Sequence, residues 1–68
     1  MSYPELNTVK EIVVYKSALG KWITAWVFRY KGHIIRYEGP DQVEALRIAK
    51  HDGEACNLAV VDLDGNPL

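Results

Sequence analysis

The sequence has one cysteine, two histidines and no long apolar run. A lone Cys56 excludes a disulfide within the chain. Such a cysteine is expected to pack as a small buried hydrophobe, and it suits a reducing, cytoplasmic setting. His33 and His51 have no cysteine pair and no close second histidine beside them, so no metal site is expected. The longest unbroken apolar stretch is a few residues, far short of a membrane span. The start, MSYPELN, lacks the basic stretch and apolar run of a secretion signal. The five glycines stand singly, which excludes a glycine-rich phosphate loop. Ser2 and Ser17 have no histidine near them in sequence. No cofactor and no enzymatic activity are expected.

What remains is 68 residues, 49% apolar, with a formal charge of −1. That is too apolar for disorder and too short for two domains. A flexible leader over residues 1–8, ahead of a single small domain over 9–68, is expected from Pro4 and the lack of periodicity there. A fold this small buries only about 60% of the surface its unfolded chain exposes. Disulfides, metals and partner chains are the usual remedies. With the first two missing, a partner is expected.

Residues 9–16 read as a strand, because Ile12, Val13, Val14 and Tyr15 are β-branched or aromatic. A hairpin loop at 17–20 leads to the strongest strand, 21–30, dense in Trp, Ile, Thr, Val and Phe. Lys31-Gly32 has the form of a tight turn before a third strand at 33–38. Gly39-Pro40 breaks the sheet. Asp41 followed by Glu44 has capping-box spacing. An amphipathic helix of about three turns is expected, with Ala45, Leu46, Ile48 and Ala49 on one side and Gly53 as its C-terminal glycine. A last strand spans 57–63, closed by an Asp64-Gly65 turn. The fold expected is α+β: an antiparallel four-stranded sheet in βββαβ order, with one helix packed on one face.

Period-two alternation gives the long strand two faces. Ile23, Ala25 and Val27 share one; Trp22, Thr24, Trp26, Phe28 and Tyr30 share the other. One helix covers one face. If it covers the aliphatic face, the aromatics lie open. If it covers the aromatics, an apolar face still points outward. Either way a partner is expected, with a second copy of the chain favoured because two-fold dimers are the commonest closed assembly. Trp22, Trp26, Phe28 and Tyr30 are the candidate protein-interface residues. An edge strand is a second place for a partner to dock.

Charge is divided unevenly. Residues 10–36 carry six Lys and Arg against one Glu, while 37–68 carry two against seven acids. The basic hairpin supports an alternative reading as a nucleic-acid-binding domain, using Lys21, Arg29, Lys31, His33 and Arg36. The leading reading is a small accessory or regulatory protein that works by binding protein, without membrane or small-molecule substrate. A phage-encoded inhibitor of a host system is one version of it.

One segment invites a catalytic reading. Leu58–Asn66 ends in Asp62-x-Asp64-Gly65, which is similar to the first motif of haloacid-dehalogenase-type phosphatases. Asn66 stands where that family has Thr, and the segment is not expected to open that family's doubly wound sheet. A strand ending in an Asp-Gly turn is the expectation here.

Two family resemblances add to this reading. Through Trp22, Gly32, Glu44-Ala45, Ala49, Val60-Val61 and Asp64-Gly65, residues 10–65 resemble a small uncharacterised bacterial and phage domain with a strand–hairpin–helix–strand pattern. That resemblance implies a fold and no activity. Through Gly20-Lys21-Trp22, Lys31-Gly32 and Glu44-Ala45, residues 20–50 look like integrase arm-binding and AP2-like DNA-binding domains. On that analogy Arg29, Lys31, His33 and Arg36 would face DNA.

Overall fold

The computed structural model describes residues 9–68; the leader expected over 1–8 lies outside them. Strands β1 (Val9–Lys16), β2 (Trp22–Phe28) and β3 (His33–Gly39) form an antiparallel meander, followed by α1 (Gln42–Cys56) and the short β4 (Val60–Val61). The sheet order is β3-β2-β1-β4. The class is α+β, but the sheet is mixed rather than antiparallel throughout, because β4 runs parallel to β1. The helix explains this. It starts beside the Trp22 end of β2, bonds Thr24 through the Ala45 carbonyl, and reaches Trp26 through Asp52. It therefore carries the chain back to the end where β1 begins, and the strand that follows must run in the same sense as β1.

The helix lies on the aromatic side of the sheet. Ile12, Val14, Ala45 and Ala49 form the buried cluster, with Trp22, Trp26, Tyr37, Leu46, Leu58 and Val60 packed against it. Alanines at 45 and 49 let the helix approach closely, and the indoles fill the flanks. The Thr24 hydroxyl, fully buried in the central strand, donates to the Ala45 carbonyl at 2.7 Å and so loses no hydrogen bond on burial. On the other face stand Ile23, Ala25 and Val27 with their β1 neighbours Tyr15, Val13 and Glu11.

The Asp41 side chain caps the helix as its spacing implies, accepting from the Val43 and Glu44 amides. The helix does not stop at Gly53. It continues to Cys56 and ends on Asn57, which adopts φ 56° in the left-handed region. Gly53 is buried inside the last turns, where a Cβ would stand 2.9 Å from the Leu58 carbonyl oxygen. Glycine at 53 is thus a close-approach residue that lets the chain fold back into β4. Because Asn57 caps the helix and Asp62 begins the next turn, β4 shrinks to two residues from the span of 57–63 expected of it.

The β2–β3 connection also differs from a two-residue turn. Strand β2 ends at Phe28, and the loop occupies 29–32, closed by the Phe28 amide donating to the Gly32 carbonyl at 3.2 Å.

Candidate interaction surface

The two sheet edges are finished differently. The outer edge of β4 is taken by the chain's own last residues: Val61 bridges Pro67, and the Leu68 amide donates to the Val60 carbonyl. The Asp62 carboxylate organises that return by accepting from the Asp64 and Asn66 amides. Those backbone bonds, chiefly that of Asn66, hold the Asp62 carboxyl below its ordinary pKa. The Asp62–Asn66 segment is therefore a turn, with its first carboxylate already engaged by backbone.

The opposite edge is β3. Among the described residues it pairs with β2 alone. Which of its backbone groups face outward follows from the ladder. The Phe28 amide bonds the Gly32 carbonyl, so Val27 and His33 form a non-hydrogen-bonded pair. Trp26 and Ile34 are then a bonded pair, and Ala25 and Ile35 a non-bonded one. A β-bulge follows: Arg36 is an extra residue between Ile35, opposite Ala25, and Tyr37, opposite Thr24. Glu38, opposite Ile23, is again non-bonded. His33, Ile35 and Glu38 thus turn their N–H and C=O groups away from β2. Apart from half-buried Tyr37, the side chains along this edge are exposed, including two large apolar ones, Ile34 at 36% and Ile35 at 45%.

The bulge also re-aims Arg36. Its guanidinium lies over the Trp26 ring, 5.2 Å from the centroid, and its Nε donates to Asp52 Oδ2 at 3.0 Å. The Trp26 indole N–H donates to the same oxygen at 3.0 Å. Asp52 is 6% exposed. Burial pushes its carboxyl pKa up, but the bonds from Arg36 and Trp26 outweigh that and leave it below the ordinary value. The position of Asp52 three residues after Ala49 and seven after Ala45 puts it on the buried stripe, and that spacing was the available signal.

The candidate residues scatter. Trp22 and Trp26 pack under α1, Phe28 is half-buried, and Tyr30 is 89% exposed in the β2–β3 loop. Among the basic residues, Lys21 precedes β2, whereas Arg29 and Lys31 follow it, so the strand's length separates them. His33 is exposed on β3, and Arg36 is engaged by Asp52. Cys56 is half-buried with a free thiol. Among the described residues no group of three metal-ligating side chains gathers, and no helix is long and apolar enough to cross a membrane.

No protein-family model matches the chain, and neither a curated protein nor a solved structure matches it. Function must therefore be read from geometry.

Proposed function

We propose that this chain is a non-enzymatic protein-binding module of the accessory or regulatory kind, which takes an extended segment of another polypeptide onto the open edge of β3. One observation carries the reading. The β4 edge is closed by residues 67–68 of the same chain, yet β3 presents three residues with outward backbone donors and acceptors, one of them the exposed Ile35, beside a second exposed isoleucine, Ile34. Strand addition uses just such groups: main-chain bonds supply affinity, and alternate side chains supply selectivity. An exposed edge is a hazard that proteins commonly cover, so one left open among the described residues, with apolar side chains on it, suits a partner. The half-buried free thiol of Cys56 suits work in the reducing cytoplasm. The separation of Lys21 from Arg29 and Lys31, and the engagement of Arg36 by Asp52, give the nucleic-acid alternative less support.

The test is a selection of random displayed peptides on the chain, followed by titration of the selected peptides into isotope-labelled protein. Amide shifts should centre on His33, Ile35 and Glu38, and Ile35→Pro should abolish binding. Peptides that shift other surfaces, or that bind the proline variant equally well, would refute the edge reading.

A further inference from the structure

The partner can be named more closely, on the strength of the edge reading above. We infer that β3 pairs antiparallel with β3 of a second copy of this chain, in the register that sets Ile35 against Ile35 of the partner subunit. Three residues present both backbone groups outward, and an antiparallel neighbour must meet each with an outward residue of its own. Because Arg36 and Tyr37 together occupy one rung at the bulge, Glu38 stands two rungs beyond Ile35, as His33 stands two rungs before it. A two-fold axis at Ile35 therefore matches all three. An axis at Ile34 or at the bulge matches two.

Side chains agree with that register. It places the His33 imidazole against Glu38 of the partner subunit, once on each side of the axis. His33, Ile35 and Glu38 oppose Val27, Ala25 and Ile23, so all three lie on the face away from α1. A foreign strand would have to supply an acid opposite His33, an apolar residue opposite Ile35 and a donor opposite Glu38; the chain supplies its own complement. The assembly also terminates. Pairing consumes the open edge of each copy, and the β4 edges are closed by residues 67–68, so two copies make a closed unit.

Sedimentation equilibrium tests this, with a monomer–dimer Kd of about 10–100 μM expected for so small a contact. Ile35→Pro removes an outward N–H and spares the β2 ladder, so it should stay folded and raise Kd at least about tenfold. Ile34→Pro removes an inward N–H and should unfold the domain, which marks the edge polarity. Glu38→Lys should weaken pairing about three- to tenfold, and adding His33→Glu should restore it, since each contact occurs twice. The charge pair decides the matter if Ile35→Pro fails to fold. A monomer at about 1 mM, an unchanged Kd in folded Ile35→Pro, or no rescue by the double exchange would overturn the inference. A monomer that still binds selected peptides at His33, Ile35 and Glu38 would remove self-pairing and leave the edge reading standing; loss of both would remove both.

Discussion

Replacing Asp52 with Asn should destabilise the domain by about 2 kcal/mol at neutral pH, although the two side chains have nearly the same shape. The carboxylate accepts from the Trp26 indole and from Arg36 on one oxygen, with His51 Nδ1 3.6 Å from the other. Charge-assisted bonds of this kind are worth roughly 1.5–3 kcal/mol each when lost. Two considerations reduce the sum. An Asn carbonyl can still serve the indole, and Arg36, 45% exposed along its side chain, can turn to water. The neutral Asn, however, leaves the Arg36 guanidinium without its counter-charge and turns amide N–H groups toward the His51 imidazole. Asp52→Ala leaves the indole N–H with no partner and should cost more, about 3 kcal/mol.

The dependence on pH separates the charge from the shape. Asp52 has a folded pKa below its unfolded value, so its charge contributes stability that is fully present above the unfolded carboxylate value of about 3.9. That contribution is lost as pH falls through the lower folded value. The gap between wild type and Asp52→Asn should therefore hold from pH 7 to about 5 and shrink below about 4. Urea denaturation followed by tryptophan fluorescence would measure it, and at pH 7 the melting temperature should fall by about 8–16 °C. A gap under about 0.5 kcal/mol, or one that persists unchanged to pH 2, would refute the reasoning.

Two backbone positions make further tests. Gly53→Ala should be destabilising by about 1 kcal/mol in thermal unfolding despite alanine's better helix propensity, because its Cβ would stand 2.9 Å from the Leu58 carbonyl oxygen and 3.0 Å from a Val60 methyl. Asn57, at φ 56°, should tolerate Gly with little change, whereas Asn57→Ala should cost about 1 kcal/mol on the same assay.

The fold was legible wherever one local signal acted alone. The β-branched run at 12–15, the alternation through Trp22–Phe28 and the Asp41 cap each produced the element they imply. Signals that depend on two distant segments were not legible. Gly53 looks like a helix end because glycine usually breaks helices, yet its role is set by how closely Leu58 returns. The direction of β4 depends on where α1 deposits the chain, which no residue of β4 encodes. The choice of core face was undecided because both faces of β2 are apolar. The buried partner of the Trp26 indole resolves it, since the N–H needs an acceptor and Asp52 on the helix stripe provides one. The interface residues followed the same logic: large aromatics suit a core as well as a contact, and here Trp22 and Trp26 lie beneath the helix.

The bulge at Arg36 ties stability to the edge. Without residue 36 the strand would still place Ile34 and Tyr37 toward the helix and His33, Ile35 and Glu38 away from it, because the alternation on either side would join in phase. The extra residue is thus not needed to aim the edge. It brings a cation onto the Trp26 ring and into reach of Asp52, which no regular strand residue there would reach with its neighbour Tyr37 also turned inward. The cost is a local kink that interrupts an otherwise regular edge. Because Arg36 and Tyr37 share one rung, the ladder resumes in phase with Glu38 opposite Ile23, so the kink leaves the outward groups of His33, Ile35 and Glu38 at regular two-rung spacing.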